Sequence, residues 1–185
     1  MVVLNRAYRC AVVIGWVISC LLPWSGMGWA EGVYLESVGV RGGIPANHSS
    51  RYFHEADMFA NFNLPWGWEL GKEWRLQTRL DLSAGWVGDG GGDAAILTAG
   101  PSVVLGRKRL PVSLEGGVSP TFLSRHEFGS KNLGMNFQFT SHVGLNWDLA
   151  RHWRLGARFQ HMSNAGLASK NPGLSLYLFA LSYRF

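Results

Sequence analysis

The sequence predicts an all-β protein: an eight-stranded antiparallel transmembrane β-barrel that follows a cleaved signal peptide. Only 16% of the 185 residues are charged, against about 25% in an ordinary soluble domain. Aromatic residues make up 13% of the chain, and 24 residues are glycine. Apolar and polar residues alternate with the period of a strand in successive segments, and no helical period is evident. This profile disfavours disorder, a coiled coil and a soluble enzyme with a charged surface.

Residues 1–30 are predicted to be a secretory signal peptide. Arg6 and Arg9 form a basic start, residues 11–22 form an apolar run, and Gly-Trp-Ala at 28–30 is a small-x-small cleavage site. The apolar run is too short for a membrane-spanning helix, which needs about 20 residues. A lipoprotein signal ending at Cys20 is the alternative, although the apolar run continues past that cysteine.

The mature chain, residues 31–185, is predicted to be one barrel domain. Cleavage removes Cys10 and Cys20, so we expect neither a disulfide nor thiolate chemistry. Loss of Arg6 and Arg9 lowers the net charge from +5 to +3. The basic residues are spread along the chain, so no nucleic-acid partner is expected.

Eight segments show the alternation of a barrel wall, and residues 73–86 show it most clearly. Trp74, Leu76 and Leu80 alternate there with Arg75 and Arg79. In a membrane barrel the apolar face meets lipid and the polar face lines the lumen. The alternative is a soluble barrel of the lipocalin type, but the low fraction of charged residues disfavours it. The predicted strands span 33–43, 51–63, 73–86, 94–106, 111–122, 134–147, 152–163 and 173–185.

The order of the strands predicts where the loops lie. With both termini in the periplasm, odd-numbered strands run outward. Extracellular loops are then expected near 44–50, 87–93, 123–133 and 164–172, and periplasmic turns near 64–72, 107–110 and 148–151. The last residues alternate and end on Phe185, which resembles the C-terminal signature of bacterial outer-membrane proteins. We therefore expect a multi-pass protein of the bacterial outer membrane.

His161 and Ser163 are the candidate catalytic residues. Residues two apart on a strand share a face and lie about 6.5–7 Å apart. A serine near a histidine is the minimum for an activated oxygen nucleophile. Both residues continue the outward series of Trp153 and Phe159. That position suits a hydrolase that acts on membrane lipid, although a strand end leaving the hydrocarbon also carries polar residues.

The segment His161-x-Ser163-Asn164-Ala165-Gly166, followed by Asn171-Pro172-Gly173, resembles the outer-membrane lipid A 3-O-deacylase family (PagL type). The resemblance is dense over 159–173 and looser elsewhere. It implies an eight-stranded barrel that hydrolyses the ester of the 3-linked acyl chain of lipid A, the anchor of lipopolysaccharide. It implies no cofactor and no metal.

The resemblance also implies a role for each residue of the motif. Ser163 would be the nucleophile, and His161 the general base that takes its proton. Asn164 would support activity and help to hold the oxyanion. Further donors to the oxyanion would be the backbone around Ala165 and Gly166 and the side chain of Asn171.

The sequence departs from the family at the group that orients the histidine. The family has a glutamate there, and this chain has Ser175. Ser175 would either orient His161 as a neutral acceptor or yield that role to an acid from an outer loop. The third alternative is a catalytically weak or inactive barrel with a lipid-binding or structural role. The candidate acids are Asp89, Asp93, Glu127, Glu55 and Asp57.

Other partners are less well defined by the sequence. Asp89 and Asp93 lack the ligand count of a calcium loop, so we predict no metal site. A homodimer is compatible with a barrel of this size. Four basic residues are expected in outer loops, where they meet either lipid A phosphates or solvent: Arg125, His126, Lys131 and Lys170.

Overall fold

Strands dominate residues 32–185, which are the residues that the computed structural model describes. The predicted signal peptide and its lipoprotein alternative lie outside them and stay predictions. Each strand pairs antiparallel with the next, and the last pairs with the first, which closes the barrel. The strands are β1 (Tyr34–Pro45), β2 (His54–Leu70), β3 (Trp74–Gly88), β4 (Asp93–Arg107), β5 (Val112–Leu123), β6 (Phe137–Asp148), β7 (Trp153–Ser163) and β8 (Leu174–Arg184). The predicted eight-stranded fold is confirmed.

The two ends of the barrel differ. Four connections, L1 (46–53), L2 (89–92), L3 (124–136) and L4 (164–173), lie at the end that we name the loop end. Three short connections, 71–73, 108–111 and 149–152, lie at the other end, the turn end. All four predicted loops therefore share one end.

Three predicted boundaries differ from the observed ones by three residues or more: the start of β2 at His54, the end of β2 at Leu70 and the start of β6 at Phe137. β2 continues through Pro65 to Leu70, whereas a turn was expected over 64–72. The pairing with β3 shifts between Asn63 and Gly67, and this irregularity accommodates a proline that cannot donate to the ladder. β6 begins at Phe137 and not at 134, because Gly134 has a φ of +87° and donates to Asn132 Oδ1 in a turn.

Ion pairs fill the barrel interior. Glu36 accepts from Arg79 at 2.9 Å and from Arg154 at 3.0 Å near the turn end. Arg41 pairs with Asp57 at 2.8 Å further along the lumen. These side chains are almost fully buried. The interior is therefore packed by paired charges, as expected of the smallest membrane barrels.

An apolar plug closes the lumen at the loop end. Phe53 from L1 and Phe128 from L3 meet edge to face, with ring centroids 5.1 Å apart. The remaining buried members are Val87, Ala94, Ile96, Leu123, Leu133, Met162, Leu174, Leu176 and Leu178. The plug ties L1 and L3 to the inner faces of β7 and β8, and so gives the loops a rigid base.

The outer wall exposes large apolar side chains along every strand. Met58 and Trp86 are about two-thirds exposed, and Phe179 is more than half exposed. Such a surface is unsuited to water and suited to hydrocarbon. Separately, residues 32–185 contain no helix long and apolar enough to cross a membrane.

Candidate active site

His161 and Ser163 are the last outward-facing residues of β7. Both are half-buried, whereas Gln160 and Met162, which alternate with them, point inward and are buried. Phe159, two residues earlier on the same face, is exposed. His161 and Ser163 therefore lie on the face of β7 opposite the inward-pointing Gln160 and Met162, at the point where β7 enters L4.

The neighbours of His161 on both sides are serines. β7 pairs His161 with Ser141 of β6 and with Ser175 of β8. Ser175 Oγ lies 2.9 Å from His161 Nδ1, and Ser141 Oγ donates to the His161 carbonyl at 3.3 Å. We call Ser141, His161 and Ser175 the polar row. It interrupts the apolar outward faces of β6, β7 and β8 and places a hydroxyl at one ring nitrogen.

L1 fixes the backbone of Ser175. The Ser175 N–H donates to Ser50 Oγ at 3.2 Å, and its carbonyl accepts from the Ala46 N–H at 3.1 Å. Ser50 is buried at the end of a 3₁₀ helix (His48–Ser50), which the Asn47 side chain caps by accepting from the Ser50 N–H. L1 therefore fixes the backbone of the residue whose hydroxyl contacts the imidazole. Sequence reasoning missed Ser50, which has no local signal.

The five acids considered as partners of His161 have other neighbours. Asp57 pairs with Arg41, and Glu55 accepts from Gln160 at 3.1 Å, both within the lumen. Asp89 accepts from Ser130, Glu127 accepts from Asn132, and Asp93 lies 3.9 Å from His54. Within residues 32–185, Ser175 is therefore the side chain that hydrogen-bonds the ring of His161.

L4 begins with a tight turn. Ala165 and Gly166 have φ values of +54° and +80°, and the Leu167 N–H donates to the Asn164 carbonyl at 3.0 Å. Positive φ at both central residues defines a type I′ turn, which glycine tolerates and alanine does not favour. Strain at a non-glycine residue beside Ser163 agrees with a functional turn.

Asn164 organises L4. Its side chain is fully buried and donates to the Leu133 carbonyl at 2.9 Å and the Lys170 carbonyl at 2.7 Å. Its Oδ1 accepts from the Gly166 N–H, and its own N–H donates to Asn171 Oδ1 at 3.1 Å. The amide hydrogens of Asn164 and the Gly166 N–H are thus already used, so both residues support the loop. The exposed Ala165 N–H donates to no described residue and stays available to a ligand.

Gly173, the last residue of L4, packs against the imidazole. Its φ is +65°, and a Cβ built there would lie 2.7 Å from His161 Cε1 and 3.2 Å from Nε2. Its carbonyl accepts from Lys131 Nζ of L3 at 2.9 Å. The Asn-Pro-Gly motif marks this position in the sequence, but nothing there shows that the glycine touches the histidine.

Ser163 Oγ has no hydrogen-bond partner among the described residues, His161 included. The two side chains share a face and are adjacent on it. Catalytic hydrogen bonds often shorten only when substrate is bound. The arrangement therefore offers an unpaired hydroxyl beside an oriented imidazole.

An apolar depression, which we call the outer hollow, lies next to the polar row on its turn-end side. It has a volume of about 300 Å³. Phe159 and Tyr177 meet edge to face there, with centroids 5.7 Å apart. The outward side chains of the hollow are Leu114, Val143, Leu145, Ala157, Phe159, Tyr177 and Phe179. A hydrocarbon chain fits the chemistry of this surface.

Metal ligands are not gathered at the site. In the part of the chain that the structure describes, no three His, Cys, Asp or Glu side chains are placed to hold a metal ion. The groups that the site does offer are a hydroxyl, an imidazole and backbone or amide donors.

Comparisons with known proteins bear on both fold and family. The family model described as "Lipid A 3-O-deacylase (PagL)" matches residues 54–184. The lipid A deacylase PagL of Bordetella bronchiseptica is 31% identical over 145 residues, covering 71% of this chain and 78% of that protein. The protein of the same name from Pseudomonas aeruginosa is 26% identical over 133 residues, covering 66% and 76%.

A solved structure supports the fold. The crystal structure of the outer membrane enzyme PagL aligns with a TM-score of 0.58 and 23% identity, over 79% of this chain and 97% of that one. The likeness to that structure extends over nearly its whole length and agrees with the closed eight-stranded barrel observed here.

Proposed function

Because the chain belongs to the lipid A 3-O-deacylase (PagL) family, we propose that it hydrolyses the ester of the 3-linked acyl chain of lipid A through Ser163 and His161. It is a β-barrel of the bacterial outer membrane. The observation that carries the proposal is the His161–Ser175 contact beside the unpaired Ser163, on the outer wall next to the outer hollow. The hollow is where the acyl chain lies, so the substrate enters from the membrane.

The reaction proceeds by acyl transfer in two steps. Ser163 Oγ attacks the ester carbonyl while His161 takes its proton, and the tetrahedral intermediate expels the sugar alkoxide. His161 returns the proton to that alkoxide, which leaves as a hydroxyl. Water then attacks the acyl-serine with His161 again as base, and releases the fatty acid and free Ser163.

Ser175 orients the base in this mechanism. With Nδ1–H donating to Ser175 Oγ, His161 Nε2 carries the lone pair that accepts the Ser163 proton. A neutral hydroxyl stabilises the imidazolium less than a carboxylate does, because hydrogen bonds between charged partners are stronger. We therefore propose a slower enzyme than one with a glutamate at this position.

The tight turn of L4 supplies the oxyanion donors. The free Ala165 N–H and the exposed Asn171 amide are the available groups beside Ser163, and Asn164 and Gly166 hold the turn. One preorganised donor of this type contributes about 3 kcal/mol to transition-state stabilisation. The positive φ of Ala165 is needed to direct its N–H toward the oxyanion.

Mass spectrometry of lipid A from cells that express the protein tests the proposal. Wild type should remove one hydroxyacyl chain, and Ser163→Ala should remove none while inserting normally. Ser169→Ala, an exposed serine of L4, is the matched control and should behave as wild type. If lipid A is unchanged by the wild-type protein, the catalytic proposal fails and the non-catalytic barrel stands.

A further inference from the structure

We propose that Lys131 is a positioning residue that holds the imidazole of His161 in place through the backbone of Gly173. L3, which contributes no reacting group, would thereby control the geometry of the base. The expected kinetic effects rest on the proposed function, whereas the contacts between Lys131, Gly173 and His161 rest on the structure alone.

Gly173 and Ser175 hold the imidazole at two positions on the ring. Ser175 Oγ contacts Nδ1, and Gly173 packs against the edge formed by Cε1 and Nε2. A side chain at 173 would overlap this edge, because a Cβ would lie 2.7 Å from Cε1. The ring is thus hydrogen-bonded at Nδ1 and closely bounded by Gly173 along the edge that carries Nε2, the nitrogen that would accept the Ser163 proton.

Lys131 anchors Gly173. Its ammonium donates to the Gly173 carbonyl at 2.9 Å and stands 5.9 Å from the centroid of the Phe53 ring. Phe53 belongs to the apolar plug, so Lys131 connects Gly173 to the buried cluster of the loop end. Burial lowers the pKa of Lys131. A half-buried ammonium needs a hydrogen-bond acceptor, and the Gly173 carbonyl provides it.

This placement separates Lys131 from the other basic residues of the outer loops. Lys170 is exposed on L4, as expected of a charge that meets solvent or phosphate. Lys131 is directed at a backbone carbonyl that lies against the site. A role in positioning predicts loss of turnover on any ester, whereas phosphate binding predicts a defect on phosphorylated substrates alone.

Kinetics on two substrates distinguish these roles. We would compare lipid A in detergent micelles with a water-soluble p-nitrophenyl ester of a short-chain acid, which carries no phosphate. Lys131→Met should lower kcat about tenfold on both substrates and change KM little. A tenfold loss corresponds to the free energy of one hydrogen bond to a charged group. Lys131→Arg, which keeps the donor, should restore most of the loss. Lys72→Met, in the turn between β2 and β3, is the matched lysine control and should have no effect.

Two outcomes would overturn the inference. One is wild-type kcat in Lys131→Met, and the other is a rise in KM confined to lipid A, which would assign Lys131 to phosphate binding. Gly173→Ala provides a second variant, because its Cβ must displace the ring. Gly173→Ala should lower kcat at least as much as Lys131→Met does. The double variant should have nearly the same kcat as Gly173→Ala alone, because both substitutions act on the same contact.

A measurement independent of activity keeps the inference distinct from the proposed function. The rate of His161 modification by diethyl pyrocarbonate, read by peptide mass spectrometry on the folded barrel, reports access to the ring. It should rise severalfold in Lys131→Met and stay unchanged in Lys72→Met. If wild type hydrolyses neither substrate, the proposed function fails and this rate alone decides the inference. An unchanged rate would reject it.

Discussion

Changing Ser175 tests whether a neutral hydroxyl orients the imidazole of His161 for the proposed reaction. Ser175→Ala removes the oxygen that lies 2.9 Å from His161 Nδ1. Ser175→Glu places a carboxylate on the same face directly opposite the histidine, since the two residues are paired across β7 and β8. Cβ atoms of such pairs lie about 4.5–5.5 Å apart, within reach of a folded glutamate side chain.

The magnitudes follow from the strength of one hydrogen bond. A neutral hydrogen bond contributes about 1 kcal/mol net, and one to a charged group about 1.5–3 kcal/mol. Ser175→Ala should therefore lower kcat about fivefold, and Ser175→Glu should raise it about fivefold, at about 1.4 kcal/mol per factor of ten. Both changes should appear in kcat, because the imidazolium forms only during the reaction.

The assay is the initial rate of deacylation of purified lipid A in micelles, followed by mass spectrometry. Ser169→Glu adds the same charge to L4 away from the imidazole and serves as the control. Equal rates for wild type, Ser175→Ala and Ser175→Glu would show that Ser175 does not orient His161, despite the contact between Ser175 Oγ and His161 Nδ1.

Two further changes test the outer hollow and the lumen. Ala157→Trp should fill the hollow and lower kcat/KM for lipid A about tenfold, because about two methylene groups of the acyl chain would lose their buried contact. Hydrolysis of a short-chain soluble ester should stay unchanged. A parallel loss on both substrates would mean that the hollow does not hold the acyl chain. Glu36→Gln should destabilise the barrel by about 3–5 kcal/mol, because it leaves Arg79 and Arg154 without their shared carboxylate. The midpoint of urea unfolding in lipid vesicles measures this, and an unchanged midpoint would show that water or other acids compensate.

The wall of the barrel was predictable because a strand has a period of two residues. The alternation in 73–86 correctly separated the outward Trp74 and Leu76 from the buried Arg79. The same period placed His161, Ser163 and Ser175 on one face before any pairing was known. The end of β2 was missed because Pro65 reads as a turn signal, and the bulge that accommodates it depends on pairing with β3.

The loops of the site were less predictable because their contacts join distant parts of the chain. Asn164 donates to Leu133, and Lys131 donates to Gly173, across about 30 and 40 residues respectively. No local pattern encodes such a pairing. The sequence therefore singled out His161, Ser163 and Ser175 as candidates, but it did not reveal the contacts of Ser50, Lys131 and Asn164 that surround them.

The apolar plug has a consequence for the water that the proposed second step requires. Met162 and Leu174, each 1% exposed, stand between the polar lumen and the outer-wall site. This apolar layer separates Ser163 from the polar lumen. In the proposed two-step reaction, hydrolysis of the acyl-serine would then draw its water from the headgroup level around L4, and the rate of that step would depend on how well the surrounding lipopolysaccharide is hydrated.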